Sequence, residues 1–227
     1  MCGRFTLTSN MDDLQGRFGF EARDLVFRPS YNIAPTQLVL AVTNDGQRRA
    51  ELMRWGLVPF WAKDIKIGYR MINAVGETAA TKPAFRAAFK KRRCLILADG
   101  FFEWRKDGKE KIPTYIFLKS REPFAFAGLW ETWKSPEGET VKSCTILTTK
   151  PNEFMEPIHN RMPVILSGET EALWLDPMTE EPDVLQPLIQ PAPAELMESR
   201  IVSSLVNSPK NNSPECVVPI TGGLPGF

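Results

Sequence analysis

Apolar positions along the chain fall into short runs separated by turn-forming residues. Leu38–Thr43 reads as a strand, Asn44-Asp45-Gly46 as a turn, and residues 49–55 as its hairpin partner. The run 94–98 reads as a buried strand that 100–104 continues, with Lys106-Asp107-Gly108-Lys109 as a second hairpin turn. Segments 114–118, 124–130 and 143–148 read as further strands, and 216–220 as a last one. Helical spacing appears in 12–18, with Ser9 or Asn10 as its cap, and again in 78–89, 169–175 and 182–188. Nineteen prolines and fifteen glycines keep these elements short. Strands with helices interspersed irregularly predict an α+β fold, a mixed, barrel-like β-sheet core with short surrounding helices, in one domain over 1–227.

Composition narrows the picture. With 43% hydrophobic and 24% charged residues, the chain can build a core without disulfides. A net charge of +1 excludes a globally basic face, so any grip on nucleic acid comes from a local patch such as the basic cluster in 86–93. No apolar core of signal-peptide length follows the start, and no run is long enough to span a bilayer, so a cytoplasmic protein is expected, associated with the nucleoid if bacterial. Cys2, Cys94, Cys144 and Cys216 lie far apart without CxxC spacing, which argues against a metal site or a disulfide framework. Cys94 and Cys144 sit in apolar runs and read as core.

Few residues are left that could carry chemistry. His159 is the chain's one histidine, in a loop between Pro157 and Pro163, and reads either as a structural residue or as a proton-transfer group. Cys2 reads as a buried thiol, or, once Met1 is removed, as a 1,2-aminothiol. Unperturbed, its amine titrates at about 7.7–8.0 and its thiol at about 8.5, leaving a reactive fraction of each at neutral pH. An aldehyde would meet the amine as an imine, and the thiol would then close a thiazolidine. Effective molarities of roughly 10⁵ M and above favour that intramolecular closure. Glu103, between aromatics, is either an outward strand residue or a desolvated general acid/base. Asn73 is either a helix cap or an amide that orients a reacting group. Most of the aromatics read as core. A few near Arg4, Arg54 and the 86–93 cluster could form a stacking surface for bases.

Taken together the motifs resemble the SRAP family of abasic-site-processing proteins. They run Met1-Cys2-Gly3-Arg4-Phe5, Tyr31-Asn32-Ile33-Ala34-Pro35-Thr36, Arg54-Trp55-Gly56-Leu57-Val58-Pro59-Phe60-Trp61 and Ile72-Asn73-Ala74. Ala98-Asp99-Gly100-Phe101-Phe102-Glu103-Trp104, Ala127-Gly128-Leu129-Trp130 and Ile158-His159-Asn160-Arg161-Met162-Pro163 follow in order, so the match covers nearly the whole chain. The resemblance implies Cys2 as the nucleophile, Asn73 holding the reacting terminus, Glu103 in proton transfer, and His159 acting on the sugar oxygens during ring opening. It also implies that Arg4 contacts phosphate, that Pro35 and Trp61 wedge and stack near the lesion, and that Thr148 and Asn207 line the site. One departure is Val75, where the family commonly carries Arg after Asn-Ala; Arg70, Arg86 and Lys210 are possible replacements.

The reading that follows is a monomer acting on single-stranded DNA containing abasic sites, in DNA repair and the SOS response. It would form a covalent crosslink, with a lyase step and self-removal of Met1 as further activities, no metal or organic cofactor, and a replication partner left unnamed. The alternatives are a Cys–His peptidase, which needs only the thiol, and a reversible single-stranded DNA binder.

Overall fold

The computed structural model describes residues 2–22 and 25–220. Strands β1 (Arg4–Leu7) and β2 (Ser30–Ile33) flank helix α1 (Met11–Phe18). The Asn10 side chain accepts from the Asp13 amide to cap α1, and Gly19 ends it at φ 60°, a conformation that L side chains resist. The hairpin β3 (Leu38–Thr43) and β4 (Ala50–Trp55) leads to β5 (Asn73–Val75) and the short helices α2 (Gly76–Ala79) and α3 (Arg86–Lys91). Next come β6 (Arg93–Ala98), β7 (Gly100–Asp107), β8 (Glu110–Leu118), β9 (Phe124–Lys134) and β10 (Thr140–Thr149). The short strands β11 (Met162–Pro163) and β12 (Ile165–Leu166), helices α4 (Gly168–Leu175) and α5 (Pro182–Leu185), and β13 (Met197–Ile201) complete the order.

Strand pairing closes a barrel. Antiparallel contacts run β4–β3–β6–β9–β10, and β10 returns to β4 in parallel. Strands β5 and β11 extend β10, and β12 extends β9. A second sheet, ordered β13-β8-β7-β1-β2, packs on this ring. Phe5 meets Trp55 and Phe126 edge-on at centroid distances of 5.0 and 5.7 Å, and Phe101 meets Phe126 at 6.0 Å. Alternation along β7 sends Phe101 into this main core and Phe102 into a second cluster with Tyr115, Phe117 and Val206. Both faces of the second sheet are therefore covered, which is why β7 opens on a continuous apolar run. The expected α+β class, with a barrel core and short helices around it, is the architecture observed.

Three local expectations are corrected. The helix expected over 78–89 is two short helices, because Pro83 lacks an amide donor and disfavours helical geometry at Lys82. Residues 94–104 are not one strand. The chain leaves the barrel at Asp99, whose amide donates to the Thr6 carbonyl at 3.0 Å. Its carboxylate accepts from Thr8 Oγ1 at 2.8 Å and the Ser9 amide at 3.0 Å. Gly100 is required at this crossing, since a Cβ there would lie 2.2 Å from the Tyr115 hydroxyl. Finally, 216–220 is not a regular strand. Pro214–Cys216 forms a 3-10 turn, and only Pro219 bridges to Val202. Among the described residues no helix is long and apolar enough to cross a membrane.

Candidate active site

The register of β1 on β7 sets Arg4 opposite Phe102, so the residues preceding β1 run beside Glu103 and Trp104. Cys2 is fully buried there and Glu103 is 3% exposed. From the barrel side β5, held on β10 with Asn73 opposite Ile146, brings in Asn73, whose Nδ2 donates to the Cys2 carbonyl at 2.8 Å. Its Oδ1 is buried and makes no hydrogen bond among the described residues, an acceptor placed at the start of the chain. His159, in the loop between β10 and β11, brings Nε2 to 3.9 Å from Glu103 Oε2. Its Nδ1 lies 3.0 Å from the Arg161 amide nitrogen and 3.1 Å from the Arg161 carbonyl oxygen, so the ring has a backbone partner in either protonation state.

These surroundings set the proton affinities. Burial raises the Glu103 carboxyl to about 7. Burial, then the amino-terminal charge, holds His159 below its ordinary value, so the imidazole is neutral at neutral pH. A carboxyl near half-protonation beside a neutral imidazole supplies both an acid and a base at the working pH. The expectation for the Cys2 thiol is corrected. Burial, and next the Glu103 charge, push it well above its ordinary value, so the thiolate fraction of a free aminothiol is not present in this state. Met1, whose removal would free the Cys2 amine, lies outside the described residues.

The raised Glu103 value has a consequence for stability. Between 4.5 and about 7 the folded carboxyl holds a proton that the unfolded one has lost, so its contribution falls as pH rises through this window. Glu103→Gln removes that charge. Its stability relative to the native sequence is expected to rise across the window by on the order of 3 kcal/mol, read from urea unfolding at either side of it. A pH-independent difference would contradict the buried carboxylate.

A cleft of about 400 Å³ opens on this cluster, lined by Glu103, Trp104, Lys106, Lys111, His159 and Asn207. Its far wall is tied in by three residues of the second sheet. Trp104 Nε1 donates to Asn207 Oδ1 at 2.7 Å. Arg4 donates to the carbonyls of Val206 and Asn207 at 2.6 and 3.2 Å, and to Asn32 Oδ1 at 2.9 Å. Buried Asn32 donates to the carbonyls of Ser208 and Asn211 at 3.0 and 2.7 Å. Arg4 thus holds the wall of the site through main-chain oxygens.

Cys2, Asn73, Glu103, His159 and Asn207 are brought together. Thr148 is buried one layer back, its carbonyl accepting from Arg161 Nη2 at 2.7 Å. Pro35 and Trp61 do not line this cleft; Trp61, 50% exposed, borders a separate one with Lys63, Lys66 and Arg70. Two arginines of the basic cluster in 86–93 are engaged within the fold, while Arg86, Lys90 and Lys91 are exposed. Buried Arg93 donates to the carbonyls of Trp174 and Phe89 at 2.7 and 3.2 Å, and Arg92 pairs with Glu131 at 2.7 Å. Of the residues lining the cleft, Lys106 and Lys111 were not anticipated, since Lys106 read only as part of a hairpin turn and Lys111 carried no signal of its own. Among the described residues no group of three or more His, Cys, Asp or Glu side chains is placed to hold a metal ion.

A closed barrel overlaid by a second sheet, with the site where the chain's start crosses between them, defines the class. The model of the SOS response associated peptidase (SRAP) family matches residues 1–209, and the chain belongs to that family. It is 55% identical over 221 residues to the abasic site processing protein YoqW of Bacillus subtilis, a match covering 96% of this chain and 99% of that one. It is 33% identical over 267 residues to the abasic site processing protein HMCES of Xenopus tropicalis, covering 97% and 78%. A crystal structure of a Bacteroides thetaiotaomicron protein superposes with a TM-score of 0.89 at 27% identity, covering 97% of this chain and all of the other.

Proposed function

We propose that this chain captures abasic sites in single-stranded DNA as a covalent thiazolidine on Cys2, protecting the lesion during repair. The observation that carries the reading is the convergence on residue 2 of the Asn73 amide and the Glu103–His159 pair, whose two members line an open cleft. The family and the names of its relatives support the same lesion as target.

The steps follow from the groups present. Hydrolysis of the Met1–Cys2 bond frees the Cys2 amine, which self-removal through Glu103 or a separate aminopeptidase would accomplish. Opening of the abasic sugar moves a proton from the anomeric hydroxyl and delivers one to the ring oxygen, and His159 serves this transfer. The amine adds to the aldehyde and one water leaves, giving the imine. Glu103 protonates the departing oxygen. The thiol sulfur then adds to the imine carbon, its proton passing to nitrogen, and the ring closes. Because burial suppresses the thiolate, thiol deprotonation is coupled to this attack. Where closure fails, the imine acidifies the adjacent carbon; loss of that proton expels the 3′ phosphate and cuts the strand. Asn73 Oδ1 accepts from the amine or from an opened sugar hydroxyl. None of these steps calls on a metal or organic cofactor, and one cytoplasmic monomer suffices.

The test is a denaturing gel of the protein with an abasic single strand, the same strand without the lesion, and an abasic duplex. A shifted band with the abasic single strand alone is expected. Capture should also weaken with added salt, as binding through a few cationic contacts requires. Shifted complexes seen only under native conditions, with or without the lesion, would favour a reversible binder. Peptide cleavage without any shifted band would favour a peptidase.

A further inference from the structure

We infer that Lys106 and Lys111 form a binding site for a backbone phosphodiester of the captured strand, beside the lesion pocket. The inference rests on the proposed function and goes beyond it by naming where the strand's charge is held. Lys106 and Lys111 are directly opposed across the β7–β8 hairpin, and the next pair, Asp107 and Glu110, is also like-charged. Like charges directly opposite each other destabilise a strand pair, whereas crossing the two pairs would have placed each lysine against a carboxylate. Because successive side chains alternate between faces, this arrangement sorts the charges: both ammonium groups on one face, both carboxylates on the other. Both lysines line the cleft, together with Glu103, His159 and Asn207.

Two other cations near the site are engaged. Arg4 is held by three oxygens of Asn32, Val206 and Asn207. Arg161 forms a two-pronged pair with Glu77, both contacts at 2.7 Å. Among the described residues neither Lys106 nor Lys111 makes an ion pair, and both are exposed. Two ammonium groups opposed across the hairpin and in no ion pair, at the mouth of a cleft that would receive a sugar, are placed to neutralise a phosphate attached to that sugar. They supply cationic charge that Val75 cannot.

Both side chains are exposed, so Lys106→Gln with Lys111→Gln is expected to fold as the native chain does, checked by unfolding midpoint. Binding is measured first on a lesion-free single strand across a salt series. The slope of log affinity against log salt is expected to become shallower by about 0.7, the value of one phosphate contact on a single strand. Lys106→Arg with Lys111→Arg should keep the native slope. On abasic strand, the double Gln variant should need more DNA for half-maximal adduct formation, with an unchanged rate at saturation. Replacing one phosphate flanking the lesion by a neutral methylphosphonate should weaken the native protein and leave the variant unaffected. An unchanged salt slope, no measurable strand binding by the native protein, or a saturating rate that falls with the variant would overturn the subsite. Failure of the native protein to form an adduct while the slope change persists would instead overturn the thiazolidine chemistry and leave the subsite standing.

Discussion

Cys2→Ala protein mixed with an abasic single strand is expected to leave no band that survives denaturation. The alanine variant keeps a terminal amine, so a transient imine forms, but no sulfur is present to add to its carbon and the imine hydrolyses. Cys2→Ser should behave similarly, with an imine that reduction traps. Loss of the adduct is to background, because the effective molarity of roughly 10⁵ M and above that drives ring closure disappears with the thiol. A second variant separates thiol from amine. Residues placed ahead of Cys2 that resist removal keep the sulfur and block the nitrogen, and this form too should give no adduct while unfolding at the native midpoint. Because Cys2 is fully buried and packed in the core, the midpoint of Cys2→Ala is measured alongside, and a folded variant that still crosslinks stably would overturn the mechanism.

His159→Ala is expected to slow adduct formation on natural abasic DNA by ~10²–10⁴, the usual worth of a general acid or base. Its reversal should slow by the same factor, since both directions share one transition state. The reason is geometric as well as chemical. The imidazole is held neutral, has a backbone partner on Nδ1 in either protonation state, and turns Nε2 toward the Glu103 carboxyl. No other histidine exists in the chain to replace it. Single-turnover rates on a DNA aldehyde that cannot cyclise should be much less affected. Equal slowing on both substrates would move His159 from ring opening to the later steps, and no slowing on either would make it structural.

The readable parts of the sequence were those whose cues are local. Asn44-Asp45-Gly46 between two apolar runs marks the β3–β4 hairpin, and Asn10 followed by an amphipathic stretch marks α1. Pro83 is a local cue that breaks 78–89, whereas the change of sheet within 94–104 depends on distant partners. Nothing in 94–104 shows that Asp99 will be drawn to Thr8 and Ser9, so the change of sheet at that residue was invisible. Strands β2 and β13 are short and half polar, and exist because β1 and β8 supply their pairing. The site divides the same way. Cys2, Asn73, Glu103 and His159 were each visible as unusual residues or through the family's motifs. That Asn73 grips the Cys2 main chain, that Arg4 binds carbonyls, and that Cys2 is buried with a suppressed thiolate all arise from contacts between segments far apart in sequence.

The wall held by Arg4, Asn32 and Trp104 also fixes an order of events during synthesis. Residues 206–211 are synthesised about two hundred residues after Cys2, yet the far wall of the cleft is missing until that later segment has docked on the earlier ones. A nascent chain therefore exposes its start long before it has a reaction chamber. A polypeptide cut short before Asn207 would carry Cys2, Asn73, Glu103 and His159 and still lack the far wall of the cleft beside which they act.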